Sequence, residues 1–148
     1  MGVASREKGV ASRQKTSTAG GNMNNGYRGY RDLRVYQLSY DLAMEIFRET
    51  KTFPAEERYS LTDQIRRSSR SIPVNLAEAW KKRRYEKAFV NKVIDSAAEA
   101  AETEAWLDMS QDCGYLNAER HKYFSDKYDE VNRMLFAMAD RPERFCNN

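Results

Sequence analysis

Arg66 and Arg70 stand four residues apart with Arg67 beside them, and a second basic run, Lys81, Lys82, Arg83, Arg84 and Lys87, follows downstream. A four-residue step on a helix returns to the same face, and Lys81, eleven residues beyond Arg70, comes back to it after about three turns. Guanidinium and ammonium groups gathered in this way hold phosphates, arginine as a planar fork and lysine as a point charge. The chemistry they predict is electrostatic binding of an RNA or DNA backbone with little reading of base sequence. A solvated surface run has the same composition and is the favoured reading for an isolated monomer; repetition of the patch around a symmetric oligomer, which multiplies phosphate contacts, shifts the balance to binding.

The net charge of +3 hides a segmented distribution. Residues 1–31 carry +5, 32–57 carry −3, 58–92 carry +7 and 93–148 carry −6. The positive charge therefore belongs to an N-terminal stretch and to the segment that holds the arginine and lysine runs, where phosphate binding is expected.

Other chemistries lack their residues. His121 is the only histidine and no Glu stands three residues before it, so the Glu-x-x-His elements of a metal-oxidase bundle are missing and no metal or cofactor is expected. Glu99, Glu102 and Glu104 read as a solvated or interfacial face. One isolated histidine also leaves a nucleophilic Ser or Cys without an oriented base, and neither a Walker loop nor a dinucleotide glycine fingerprint occurs. No catalytic residue is expected. Cys113 and Cys146 are too few for a disulfide framework or a zinc site and read as reduced thiols. Asn75 and Glu78, three residues apart within an apolar helix, fit an internal polar network that fixes packing, and Gln64 with Arg67 repeats that spacing.

The elements that position these side chains are helices. Residues 1–29 are poor in large apolar side chains, contain Gly2-Val3-Ala4-Ser5-Arg6 duplicated as Gly9-Val10-Ala11-Ser12-Arg13, and are expected to form a flexible basic tail. Residues 30–141 carry four apolar periodicities and residues 142–148 are expected to form a C-terminal tail. The first helix has Asp32 as its expected N-cap and Leu33, Tyr36, Tyr40, Ala43 and Phe47 as its apolar face, and it ends before Pro54. In the second, Leu61, Ile65, Ile72, Leu76 and Ala79 form the stripe, with a kink at Pro73 whose freed backbone groups Ser68, Ser69 and Ser71 could satisfy. The third runs from Tyr85 to Asp112 and stops at Gly114. Its main stripe is Val90, Ile94, Ala97, Ala101 and Ala105, with Val93, Ala100 and Leu107 as another, a surplus that points to a subunit interface. Asn117 caps the fourth, which carries Phe124, Tyr128, Val131, Leu135 and Met138. Short connections favour an all-α, antiparallel, up-and-down four-helix bundle.

The string Leu61-Thr62-Asp63-Gln64-Ile65-Arg66-Arg67, followed by Ser71-Ile72-Pro73-Val74-Asn75-Leu76-Ala77-Glu78, resembles the four-helix-bundle family first associated with intervening sequences in bacterial 23S ribosomal RNA genes. Asp32-Leu33-Arg34-Val35-Tyr36, Phe53-Pro54-Ala55-Glu56-Glu57-Arg58-Tyr59, Ala101-Glu102-Thr103-Glu104-Ala105-Trp106-Leu107 and Gly114-Tyr115-Leu116 flank it in family order, so the resemblance covers about residues 30–140. Ala79 stands where the family commonly has Gly, which implies a helix continuing into Trp80, and Ser68 stands where Ala is common. The resemblance implies a homopentameric ring. For relatives that act as accessory variability proteins of diversity-generating retroelements, it implies binding of nucleic acid and of a reverse transcriptase.

Together these readings predict a bacterial, cytoplasmic, non-enzymatic homo-oligomer that binds nucleic acid and assists a partner such as a reverse transcriptase. The alternative is a protein-interaction scaffold with no nucleic-acid role. No apolar run approaches the ~18 residues that span a bilayer, so no membrane partner is expected.

Overall fold

A computed structural model describes residues 26–146. The duplicated pentapeptide and most of the expected basic tail lie outside the described residues, as do Asn147 and Asn148. Four helices and no strand occur among the described residues: α1 (Arg34–Glu49), α2 (Leu61–Lys81), α3 (Glu86–Asp112) and α4 (Ala118–Asp140). They form the expected four-helix bundle. Single 3-10 turns lie at Tyr30–Asp32, Thr50–Thr52, Ala55–Glu57 and Pro142–Arg144.

The start of α1 differs from expectation. Asp32 sits inside the preceding turn, where its Oδ2 accepts from the Arg28 backbone N–H at 2.8 Å, and Leu33 is the residue whose carbonyl begins the helix. Of the expected α1 face Leu33 and Ala43 are buried, but Tyr36, Tyr40 and Phe47 are half-exposed, and Val35, Ser39 and Ile46, each one residue earlier, are buried in their stead together with Leu42. One residue is about 100° of helix rotation. The Tyr36 and Tyr40 rings stay at the rim, and Val35, Leu42 and Ile46, with Ser39 between them, pack inward instead.

The stripe of α2 is as expected, with Leu61, Ile65, Ile72, Leu76 and Ala79 buried and the helix continuing through Trp80 to Lys81. Pro73 is buried within it, and the helix is continuous there. The hydroxyls of Ser68, Ser69 and Ser71 donate to the carbonyls of Ile65, Arg66 and Arg67 at 3.4, 3.2 and 2.9 Å, one turn before the carbonyl that the proline crowds.

In α3 the ordering of the two stripes is reversed. Phe89, Val93, Ser96, Ala100, Thr103, Leu107 and Ser110 are buried, while Ile94, Ala101 and Ala105 face outward. Three hydroxyl residues interrupt the buried stripe and conceal it from an apolar count. Each is satisfied: Ser96 Oγ donates to the Ile72 carbonyl at 3.0 Å, Ser110 Oγ to the Trp106 carbonyl at 2.8 Å, and Thr103 Oγ1 lies 2.8 Å from Ser68 Oγ. Buried hydroxyls with partners of this kind cost little, and their small volume lets α2 and α3 approach closely. Gly114 ends the helix at φ +80°, a left-handed conformation that glycine adopts without steric cost, and Tyr115 and Leu116 N–H groups return to the Ser110 carbonyl. Asn117 then caps α4 by accepting from Arg120 N–H at 2.8 Å, and all five residues of the expected α4 stripe are buried.

Both expected tails contribute packing. Tyr27 stacks on Phe145 at 5.8 Å and meets Trp80 edge-on at 6.0 Å, Phe145 stacks on Phe89 at 6.1 Å, and Pro142 and Cys146 are buried. The packed unit therefore extends beyond 30–141 at both ends. Burying a large apolar side chain stabilises by about 1.5–3 kcal/mol. Deleting residues 142–148 removes Phe145 and Cys146 and uncovers Phe89, so the variant is expected to lose about 3 kcal/mol in urea unfolding. An unchanged midpoint would show that this segment does not contribute to the core.

Candidate nucleic-acid interface

The basic residues singled out in the sequence divide into two groups along α2. The first gathers around Phe47 near the end of α1. Arg66 lies 4.8 Å from the centre of the Phe47 ring, Arg70 5.6 Å and Lys51 4.9 Å. Arg66 also turns inward, donating Nε to Thr50 Oγ1 at 2.8 Å and Nη2 to the Phe47 carbonyl at 3.3 Å. A guanidinium placed there satisfies a terminal carbonyl and complements the negative end of the α1 dipole. Burial, and secondarily the charge of Arg70, lower the Arg66 pKa, which still leaves it cationic at neutral pH. Arg66 therefore joins α1 to α2, whereas Arg67 and Arg70 are exposed. Lys51, in the 3-10 turn that follows α1, also belongs to this group; its place four residues after Phe47 was the available signal.

The second group surrounds the α2–α3 turn. Lys81, Lys82, Arg84 and Lys87 are exposed. Arg83 instead holds its Cζ over the Trp80 ring, 3.7 Å from the centroid, and is half-buried, with its pKa lowered by burial and partly restored by Cys146. Arginine stacks on indole in this way because its planar, weakly hydrated cation faces the ring quadrupole. The turn is held by backbone hydrogen bonds from Lys82 N to Ala79 O at 2.9 Å, Arg83 N to Trp80 O at 3.3 Å and Tyr85 N to Lys82 O at 2.9 Å.

An open groove of about 410 Å³ adjoins this turn, lined by Tyr30, Ala77, Glu78, Lys81, Lys82 and Lys92. Lys92, absent from the sequence-derived set, organises the polar network. Its Nζ lies 2.8 Å from Glu78 Oε1, donates to Asn75 Oδ1 at 3.1 Å and reaches Asp95 at 3.9 Å. The hydrogen bond to Glu78 is the main cause of its raised pKa. Asn75 and Glu78 thus meet through a lysine of α3, while Gln64 makes no side-chain hydrogen bond to them among the described residues.

The acidic residues further along α3 have partners of their own. Glu102 accepts from Trp106 Nε1 at 3.1 Å and Glu104 from Asn132 Nδ2 at 2.9 Å, while burial and then Glu102 raise the Glu99 pKa. His121 Nε2 lies 2.8 Å from Asp108 Oδ1, across the α3–α4 corner.

A search of curated proteins returns no match. Among solved structures the chain is similar to a protein of unknown function from the S23 ribosomal protein family of Bacteroides thetaiotaomicron. The two share 28% identity, the match covers 72% of this chain and 95% of that one, and the TM-score is 0.65. Residues 31–137, spanning all of α1, α2 and α3 and nearly all of α4, match the description of the 23S rRNA-intervening sequence proteins. The chain belongs to the 23S rRNA-intervening sequence protein family.

Proposed function

We propose that this protein is a non-enzymatic, homo-oligomeric accessory protein that binds the phosphate backbone of RNA or DNA through the exposed face of α2 and the α2–α3 turn. One observation carries this reading. Arg67, Arg70, Lys81, Lys82, Arg84 and Lys87 are exposed and form no ion pair with any described residue, and although Glu99 lies near Arg67 and Glu78 shares the groove with Lys81 and Lys82, the segment keeps a positive excess. A stripe with an excess of one sign raises the local concentration of a polyanion.

An exposed apolar face on α3 supports the self-association in this reading. Ile94 and Met109 are 52% and 48% exposed on α3, with exposed Ala98, Ala101 and Ala105 between them. A closed ring that covers this face would repeat the basic stripe and multiply phosphate contacts. Five subunits and a role beside a reverse transcriptase are what the family resemblance adds, and a cytoplasmic location is part of the same proposal. No helix among the described residues is long and apolar enough to cross a membrane.

Fluorescence anisotropy with labelled RNA and DNA over a series of salt concentrations tests the reading, alongside sedimentation velocity. The expected result is a closed oligomer whose affinity is insensitive to sequence and falls steeply with salt, the mark of counterion release. A monomer at micromolar concentration removes the multivalent part, and absence of binding at low salt moves the basic surface to an acidic protein partner.

A further inference from the structure

Within the basic turn, Tyr85 is the aromatic side chain that nothing packs against. Tyr85 is 66% exposed, and no described ring or cation stacks on it. Other exposed rings differ in setting: Tyr59 lies 5.9 Å from Arg58 at the opposite end of α2, and Phe136 lies on α4. The chain holds Tyr85 firmly at its backbone, since its N–H donates to the Lys82 carbonyl and its own carbonyl accepts from Phe89 N–H, each at 2.9 Å. Arg83, anchored on Trp80, steadies the same turn. An exposed aromatic side chain thus projects from a fixed backbone position, with Arg84 immediately before it, Glu86 immediately after it and Lys87 two residues after it.

We propose that the nucleic acid taken by this surface is single-stranded, and that Tyr85 stacks on one of its unpaired bases while Lys81, Lys82, Arg84 and Lys87 meet the adjacent phosphates. The inference rests on the phosphate-binding reading above and adds the form of the nucleic acid. A duplex offers this turn only phosphates and groove edges, with its base faces covered by their neighbours. An unpaired strand offers a π face beside its backbone charge, and only such a strand uses both the ring and the cations. A backbone already fixed before binding leaves only the two side-chain torsions of the tyrosine to be ordered, which keeps the entropic cost of stacking small.

Anisotropy titrations of the full chain with oligouridylate, oligothymidylate and a blunt hairpin duplex provide the test. Tyr85→Ala is expected to weaken single-strand binding about 10- to 100-fold, the range for loss of one aromatic–base stack, and to leave duplex binding within about twofold. Its salt slope should match that of the wild type, because no charge is removed. Tyr85→Trp should retain single-strand affinity. A larger loss on oligouridylate than on oligothymidylate would identify RNA as the source of the strand, and the reverse order DNA. Equal losses on single strand and duplex, no loss on either, or a changed sedimentation coefficient in Tyr85→Ala would each overturn the stacking role. If Tyr85→Ala binds normally while Gln replacements at the four basic positions abolish binding, stacking fails and phosphate binding stands; if the wild type binds no nucleic acid, both fail.

Discussion

Replacement of Lys81, Lys82, Arg84 and Lys87 together by Gln is expected to weaken nucleic-acid binding by two to three orders of magnitude near 0.1 M salt. The estimate follows from counterion release: each lost phosphate contact removes about 0.7 from the logarithmic salt slope on a single strand, so four contacts remove about 3. At a tenth-molar salt that slope difference is itself close to a thousandfold in affinity. The loss should be similar on every sequence, because phosphate contacts position a strand without reading it. Arg83 is left in place, since it lies over Trp80 and its removal would mix a packing defect with a charge effect. Replacing Glu99 and Glu102 by Gln serves as the control and should not weaken binding. Unchanged affinity and unchanged slope in the basic variant, with assembly intact, would exclude this surface as the phosphate site.

Trp80→Ala should produce the second large effect, a loss of about 3–5 kcal/mol in folding stability, as expected for truncating a buried indole. Trp80 is 6% exposed, meets Tyr27 edge-on and carries Arg83 on its face. Its removal leaves a cavity at the end of α2 and frees the Arg83 guanidinium at once. Urea unfolding gives the stability, and Trp80→Phe, which keeps a ring beneath the cation, should recover a substantial part of it. A change below about 1 kcal/mol in Trp80→Ala would show that the site collapses around the smaller side chain without loss.

Helix existence was legible because its signals are local. Asn117, Gly114 and the interruption at Pro54 act within a few residues, and the α4 stripe contains only apolar residues and one tyrosine. Helix rotation was less legible. In α1 the aromatic residues, and in α3 the alanines, formed a regular series one position away from the residues that are buried. Counting hydrophobic side chains favoured those series, whereas the folded chain uses Ser39, Ser96, Thr103 and Ser110 where helices come close. Such hydroxyls become favourable inside only when a partner from another turn or helix accepts them, and that partner is invisible along a linear periodicity. The candidate interface shows the same division. Lys81, Lys82, Arg84 and Lys87 are exposed on a turn, as a dense local run of charge suggests. Arg66 is drawn inward by Thr50 and Phe47, sixteen and nineteen residues earlier, and Lys92 reaches back seventeen residues to Asn75. Those associations belong to packing between helices, which spacing within one helix does not encode.

The stack of Tyr27, Phe145, Phe89 and Trp80 has a further meaning when the bundle is regarded as a set of local openings. Two stretches near opposite ends of the described chain close over the aromatic residues that underlie the basic turn. Release of residues 142–146 must therefore loosen the support of Arg83 and the segment that follows it. Thermodynamic linkage makes the relation reciprocal: whatever factor that release takes from the affinity of the turn, an occupied turn takes from the release equilibrium. Amide hydrogens at the C-terminal clasp, some 60 residues downstream of the turn, would thus record its occupancy.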